Sequence, residues 1–219
     1  MSPRATLTGT IHIVDDDRAL RTAVGRLLTA AGHTTLLYAS PAEYLAAGHA
    51  APGPCCLIVD LRMPGTNGLE FQETLATRGN AHPIIFLSGH GDVPSTVRAM
   101  RAGALDFLTK PVPTPVLFEA VRVALERDMQ RAAHDEHVAQ VQARYETLTP
   151  RERQVMAGVI AGRLNKQICY ALNSAERTVK THRARVMEKM GVRSVAELVR
   201  RAEELSAAGI ALEPTPPGL

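Results

Sequence analysis

The 219-residue sequence contains no tryptophan and only three cysteines. Cys55 and Cys56 are adjacent and poorly placed to bridge each other, and Cys169 stands alone. Their odd number and the lack of metal-ligand spacing predict buried or free thiols and exclude a disulfide framework. No apolar run is long enough to span a membrane, and the amino terminus lacks signal-peptide features. We therefore expect a cytoplasmic protein with no membrane partner.

The formal net charge is only +3, but the charge is unevenly distributed. Residues 1–145 hold 13 basic and 14 acidic side chains, whereas Thr149–Arg193 holds ten basic and three acidic ones. The chain is long enough for two domains, and this distribution predicts that only the second meets a polyanion.

Two short apolar runs end in carboxylates. Ile11–Val14 is followed by Asp15–Asp17, and Cys56–Val59 is followed by Asp60, just before Pro64. Such runs are typical of buried parallel strands. Carboxylates that meet at one sheet edge repel each other unless a divalent cation lies among them, so the sequence predicts a cation site.

Further strands are predicted over Thr34–Tyr38, Pro83–Ser88 and Asp106–Lys110, with a helical pattern after each strand. Ser40 begins one of these helices in a capping box, and Asp92 is expected to cap another. Five strands alternating with five helices predict an α/β fold with a doubly wound, five-stranded parallel sheet in the order 2-1-3-4-5, as in flavodoxin.

Lys110 is the only lysine among residues 1–145; the other twelve basic side chains there are arginines. Because Lys110 and Ser88 end predicted strands, they should lie at the same edge as the aspartates. We expect the ammonium of Lys110 to face Asp15, Asp16 and Asp60.

The motifs Val14–Asp17, Asp60–Gly65, Ser88–Asp92 and Asp106–Pro111 together resemble the receiver domain of response regulators, closest to the FixJ-like subgroup. The resemblance covers roughly residues 10–125.

This resemblance implies that a sensor histidine kinase phosphorylates Asp60. It implies that Mg²⁺ is held by Asp15, Asp16, Asp60 and the backbone carbonyl of Arg62. Ser88 and Lys110 would contact the phosphoryl group, Phe107 would turn inward behind Ser88, and the face formed by the fourth helix, fifth strand and fifth helix would change.

The basic part of the chain predicts a short helix over Asn165–Leu172 and a longer one over Glu176–Met190, after a helix that Thr149 begins in a second capping box. A short helix, a turn and a long basic helix are typical of an all-α helix-turn-helix domain. The long helix places Val179, Val186 and Met190 on one face and its polar residues on the other.

This region resembles the LuxR-type DNA-binding domain over residues 145–205, as part of the FixJ/NarL family. The resemblance implies that Lys180, Thr181 and Ala184 contact the bases of double-stranded DNA. The predicted phosphate contacts are Asn165, Lys166, Lys189, Arg151 and Arg153. Arg177, on the polar face of the long helix, and Arg185 are further predicted DNA contacts. Ala175 stands where the family usually has a capping serine, and Asn173 stands where it usually has glycine. The cap is expected to be lost unless the helix begins one residue earlier.

A third capping box at Ser194 begins a helix whose apolar stripe has too little domain left to cover it. We therefore predict homodimerisation through Leu198, Val199, Ala202 and Leu205. The predicted organisation is a receiver at 1–125, a helical linker at 126–145, a DNA-binding domain at 146–210 and a flexible tail at 211–219.

The sequence thus predicts a transcriptional regulator in which phosphorylation of Asp60 controls dimerisation and DNA binding, with RNA polymerase as a further partner. No enzymatic activity is expected beyond its own phosphoryl transfer and dephosphorylation. One alternative is a phosphorylation-independent DNA-binding regulator that uses the receiver as a dimerisation scaffold. Another is an aspartate-nucleophile phosphohydrolase, but such enzymes carry the nucleophile on the first strand and normally have a substrate cap.

Overall fold

A computed structural model describes residues 7–48, 53–89 and 93–215. The chain divides into two compact units, residues 1–132 and 133–219. The predicted cap Asp92 and the last four residues of the predicted tail lie outside the described residues. Within the described ranges, no helix is both long and apolar enough to cross a membrane.

The first unit contains the predicted five-stranded sheet. The strands are β1 Thr10–Val14, β2 Thr34–Tyr38, β3 Cys55–Asp60, β4 Ile84–Ser88 and β5 Asp106–Thr109. All pairings are parallel, and the strand order is β2-β1-β3-β4-β5, as predicted. Val14 at the end of β1 lies opposite Val59 of β3, so the residues that follow leave the sheet side by side.

Helices cover both faces of this sheet. Every residue of β1, β3 and β4 is buried, as expected for central parallel strands with helices on both sides. Ile11 packs in one apolar cluster with Leu28 and Leu125, and Phe86 packs in the other with Tyr44 and Phe71. The helices are α1 Arg18–Ala30, α2 Pro41–Ala47, α3 Gly68–Thr77, α4 Val93–Arg101 and α5 Thr114–Glu146.

Local caps fix where two of these helices begin. Asp17 caps α1 by accepting hydrogen bonds from the amides of Ala19 at 2.8 Å and Leu20 at 3.2 Å. Asp17, the third aspartate of the acidic run, is therefore the N-cap of α1. Ser40 caps α2, but the Glu43 carboxylate accepts from the amide of Ala39 rather than Ser40, so the predicted box is only half formed.

The second unit is helical, with α6 Pro150–Ile160, α7 Asn165–Ala171, α8 Glu176–Met190 and α9 Val195–Ala207. The capping box at Thr149 is complete, because its hydroxyl accepts from the Glu152 amide and its own amide donates to the Glu152 carboxylate. The core of this unit contains the predicted inner face of α8, Val179, Val186 and Met190.

The prediction that α9 leaves its apolar stripe uncovered is wrong. Leu198 and Leu205 are fully buried and Ala202 is 5% exposed, and all three lie in the core of the second unit; Val199 is half-buried. The end of α5 supplies Val141 and Tyr145 to the same core. Because Val141 and Tyr145 were predicted to belong to a linker, their contribution to the core that buries α9 was not predicted.

Candidate functional site

Three carboxylates converge at the carboxyl edge of the sheet. Asp60 ends β3, and Asp15 and Asp16 directly follow the neighbouring strand β1. One oxygen from each carboxylate lies within 4.8 Å of the others. Asp15 and Asp60 are buried, whereas Asp16 is exposed, so the cluster faces solvent on one side.

Lys110 reaches this cluster from the other side of β4. Its ammonium donates a hydrogen bond to Asp15 Oδ2 at 2.8 Å and one to Asp60 Oδ1 at 3.0 Å. The Lys110 amide donates to the Ser88 carbonyl at 2.8 Å, which continues the β4–β5 pairing past the end of β5 and holds the lysine backbone in place. The structure therefore brings together the four charged residues that the sequence predicted for this edge.

Burial and charge act against each other in this cluster. Burial raises the pKa of Asp60; the hydrogen bond and charge of Lys110 lower it, and the charges of Asp15 and Asp16 raise it further. Burial would lower the pKa of Lys110, but its hydrogen bonds to Asp15 and Asp60 outweigh that effect and raise it. One ammonium does not balance three carboxylates, and their hard oxygen donors suit a divalent cation such as Mg²⁺.

The remaining predicted residues of this edge lie around the cluster. Ser88 is 1% exposed at the end of β4. Phe107 on β5 is half-buried, with its ring 6.2 Å from the ring of Phe86. Arg62 lies two residues after β3 and is exposed.

Two features of this edge were not predicted. The Arg21 guanidinium contacts the Asp15 backbone carbonyl, and the amide of Asp17 donates to Asp15 Oδ1 at 2.8 Å. A Cβ atom on Gly68 would lie 2.6 Å from the Asp60 carbonyl, so α3 can begin this close to β3 only with glycine. Arg21 and Gly68 lie on helices and not at strand ends, so the strand-end motifs of the sequence did not mark them.

The second unit presents the predicted polar face of α8 to solvent. Lys180 pairs with Glu176 at 3.1 Å, one helical turn earlier, but its side chain remains 64% exposed. The Thr181 hydroxyl donates to the carbonyl of Arg177 at 2.9 Å. The exposed residues of this face are Glu176, Arg177, Lys180, Thr181, Ala184, Arg185 and Glu188.

The beginning of α7 lies beside this helix. Lys166 is exposed, and the Asn165 side-chain carbonyl accepts a hydrogen bond from Arg183 Nη1 at 3.0 Å. Arg183 was not among the predicted contacts. Its position on α8, eighteen residues from Asn165, gives no local sequence signal for this pairing.

Three predicted phosphate contacts point elsewhere. The Lys189 ammonium bonds Glu152 Oε2 at 2.6 Å and the Thr147 carbonyl at 3.0 Å. Arg151 contacts the Leu172 carbonyl and the Ser174 hydroxyl. Arg153 lies over the Tyr145 ring at 4.9 Å from its centroid. These three cations bind groups of their own domain, which gives Lys189 a structural partner that its predicted role in DNA binding did not include.

The start of α8 lacks a side-chain N-cap, as the sequence indicated. Ala175 is the N-cap residue and offers no side-chain hydrogen bond, and the helix does not begin earlier. The Ser174 hydroxyl instead donates to the Leu172 carbonyl at 3.1 Å. Asn173 adopts φ +46°, a left-handed conformation for which glycine is the easier residue.

Comparison with known families gives two matches. Residues 11–122 match the response regulator receiver domain, and residues 146–202 match the luxR family of bacterial regulatory proteins. Together these matches cover most of the chain.

Individual proteins match over nearly the whole length. Nodulation protein W of Bradyrhizobium diazoefficiens is 43% identical, with 92% of this chain and 88% of that protein covered. The transcriptional regulatory protein FixJ of the same organism is 42% identical, with 90% and 96% covered. The solved structure of the response regulator StyR is 39% identical, has a TM-score of 0.77 and covers 90% of this chain and 98% of that one.

Proposed function

Because the chain belongs to the response-regulator family, with a receiver domain followed by a LuxR-type DNA-binding domain, we propose that phosphorylation of Asp60 by a partner histidine kinase controls its binding to DNA. The observation that carries the proposal is the convergence of the Asp15, Asp16 and Asp60 carboxylates, with the Lys110 ammonium bonded to Asp15 and Asp60.

In the proposed reaction, a carboxylate oxygen of Asp60 attacks the phosphorus of a phosphohistidine on the kinase. The new O–P bond replaces the P–N bond, and the histidine nitrogen leaves with the electron pair of that bond. The approach brings a negative nucleophile toward negative oxygens, so positive charge at the site lowers the barrier. Lys110 supplies one such charge, and its two hydrogen bonds hold it within reach of the acceptor.

Mg²⁺ would be held by Asp15, Asp16, Asp60 and the backbone carbonyl of Arg62. The fit rests on the spacing of the three carboxylates and on their oxygen donors; burial and the neighbouring charges of Asp15 and Asp16 raise the pKa of Asp60, so a cation at this edge would offset the repulsion. When bound, the ion supplies further charge compensation to phosphoryl oxygens.

The phosphorylated aspartate would change its surroundings through charge. The product adds about −1.5 to −2 charge at the end of β3, which attracts hydrogen-bond donors. The Ser88 hydroxyl lies at the end of the adjacent strand, and Lys110 already contacts Asp60. We assign Ser88 and Lys110 to the phosphoryl oxygens and Phe107 to the packing change that follows.

The proposed dimer surface differs from the one predicted on α9. Because Leu198, Ala202 and Leu205 are buried in their own domain, they have no apolar surface left for a partner. The face of α4, β5 and α5, which lies next to Phe107, fits better. It exposes Val93, Val97 and Met100 on α4 and Val116 and Val123 on α5, at 37–74%.

For DNA, we assign base contacts to the exposed face of α8 and phosphate contacts to Lys166 and Asn165 on α7. The exposed set Arg177, Lys180, Thr181, Ala184 and Arg185 offers charge, one hydroxyl and one methyl to a major groove. RNA polymerase is the further partner that we propose for the DNA-bound protein, since similar proteins are transcriptional regulators.

The experiment compares three states of the full chain: untreated, treated with Mg²⁺ and beryllofluoride, and treated Asp60→Asn. Dimer formation is measured by light scattering, and operator affinity is measured by gel shift. We expect beryllofluoride to promote both in the wild type and neither in Asp60→Asn. Asp135→Asn, an exposed aspartate remote in sequence from the site, is the matched control and should respond like the wild type.

Identical dimerisation and DNA binding in all three states would contradict the proposal and favour the phosphorylation-independent regulator. Continuous release of phosphate from an added phosphate ester would instead favour the phosphohydrolase.

A further inference from the structure

A second group of side chains, of the types that can ligate a metal ion, lies at the opposite edge of the receiver sheet. Cys55 begins β3, His82 lies two residues before β4, and Asp128 lies on α5. One ligand atom from each, the thiol sulfur, a ring nitrogen and a carboxylate oxygen, lies within 4.8 Å of the others. Cys55 and Asp60 are the two ends of the same strand, which separates the two sites by about 16 Å at 3.3 Å per residue.

We propose that Cys55, His82 and Asp128 bind a thiophilic divalent transition metal of the zinc type. Thiolate, imidazole and carboxylate are the ligands that Zn²⁺ takes in proteins, and three protein ligands leave a fourth position for water. The sequence suggested no such site because 27 and 46 residues separate neighbouring ligands in the chain.

The ligands are already held near one another. His82 Nδ1 lies 2.9 Å from Asp128 Oδ1, and the Cys55 amide donates to Asp128 Oδ2 at 2.8 Å. The Arg131 guanidinium donates to Asp128 Oδ1 at 2.9 Å, and the His82 amide donates to Asn80 Oδ1 at 3.0 Å. Outer partners of this kind orient metal ligands.

A purely structural role, in which Asp128 anchors α5 to the start of β3 by hydrogen bonds, accounts for Asp128 and His82. It does not require the Cys55 thiol. Asp128 is 1% exposed and its pKa is lowered: burial alone would raise it, but hydrogen bonds from Cys55, His82 and Arg131 outweigh burial. The Cys55 thiol makes only a weak hydrogen bond of 3.5 Å to the Gly53 carbonyl. That sulfur is the atom a soft metal would use.

Metal binding at this site can be accounted for in both protons and charge. The metal replaces the thiol proton of Cys55, which leaves to solvent, and takes Nδ1 of a neutral His82 whose proton moves to Nε2. The thiolate and Asp128 together neutralise a divalent ion. Arg131 then retains a positive charge, which its 32% exposed side chain places in contact with solvent. His82, with a side chain 22% exposed, gives the ion a route of entry.

The test is a Co²⁺ titration of the full-length protein in excess Mg²⁺, which occupies the aspartate cluster first. We expect one equivalent of Co²⁺ to produce visible d–d bands and a near-ultraviolet thiolate-to-cobalt band, and Zn²⁺ to abolish both. Cys55→Ser should lose the thiolate band. Cys56→Ser and Cys169→Ser are the matched cysteine controls and should keep it.

The partly exposed His82→Gln offers a variant that is less prone to misfolding than Cys55→Ser. It should bind Co²⁺ at least roughly tenfold more weakly, since even outer partners are worth about 10-fold to 100-fold in affinity. The proposal is overturned if the wild type shows no thiolate band, if the band survives in Cys55→Ser, or if His82→Gln binds as tightly as the wild type.

Discussion

The contact between Lys189 and Glu152 predicts that Lys189→Met destabilises the DNA-binding domain without removing a DNA contact. Glu152 is 2% exposed, and its carboxylate accepts from the Lys189 ammonium at 2.6 Å. The substitution keeps most of the length of the side chain and removes its charge. A buried carboxylate then loses its only cationic partner among the described contacts.

The magnitude follows from the surroundings of the pair. Breaking a fully buried pair by removing one partner costs about 3–5 kcal/mol. The Lys189 side chain is 33% exposed, and Glu152 keeps its hydrogen bond from the Thr149 amide at 2.9 Å, so we expect about 2 kcal/mol. For a domain of this size, that lowers the Tm by roughly 8–16 °C.

The assay is calorimetric unfolding of the full chain together with the salt dependence of DNA binding. Lys166→Met is the matched control, because Lys166 is an exposed lysine on α7. It should leave the Tm almost unchanged and reduce the salt slope of binding by about 0.9. Lys189→Met should lower the Tm and leave the salt slope of DNA binding almost unchanged. A normal Tm with a reduced salt slope in Lys189→Met would refute the reasoning and restore Lys189 to the DNA interface.

The same pair gives a pH dependence. Burial would raise the pKa of Glu152, but the hydrogen bonds from Lys189 and Thr149 outweigh it, so the folded-state pKa lies below the usual value near 4.5. A group with a lowered folded pKa stabilises the fold above its unfolded pKa, and this stabilisation is lost as the pH falls through the folded pKa. The difference in Tm between wild type and Lys189→Met should therefore be largest near pH 7 and should decrease below about pH 4.5. A gap independent of pH would contradict this assignment.

Three further substitutions test single contacts. Lys110→Met should slow acetyl phosphate labelling of Asp60 by about 100-fold or more, measured by intact mass against time, since one preorganised charge is lost; unchanged labelling would contradict its role. Ala175→Ser should stabilise the second unit by about 1 kcal/mol in calorimetry by supplying the missing cap of α8, and a lower Tm would contradict the cap. Gly68→Ala should destabilise the receiver by about 1–3 kcal/mol, because its Cβ would lie 2.6 Å from the Asp60 carbonyl, and a neutral effect on the Tm would show that α3 can shift.

The aspartate cluster could be predicted from the sequence because parallel topology determines where strand ends meet. Once the runs before Asp15, Asp60 and Ser88 are taken as adjacent strands, their ends must share one edge. Lys110 followed from the same argument, helped by being the only lysine in that part of the chain.

The DNA-binding half was harder to predict because similar basic residues serve two purposes. Lys166 and Lys189 are both lysines on helices, yet one is exposed and the other bonds a buried glutamate. Only the packing of α6 against α8 brings Glu152 to Lys189, across 37 residues of chain. The burial of Leu198 was missed for a similar reason, since residues that share its core come from a stretch assigned to a linker.

The cluster of Cys55, His82 and Asp128 could not be predicted from sequence motifs. Its members occupy the amino-terminal edge of the sheet and the middle of a helix, where no local pattern marks them. Their proximity follows from how α5 packs against the start of β3, which depends on the whole receiver.

The most direct test of the account is site-mapped phosphorylation of the full chain with acetyl phosphate. We expect one Mg²⁺-dependent phosphoryl group, located on Asp60 by reductive trapping and peptide mass, and absent from Asp60→Asn. Labelling of another residue, or equal labelling after removal of Mg²⁺, would contradict the claim that the carboxylates at the end of β3 and β1 form a phosphoacceptor site.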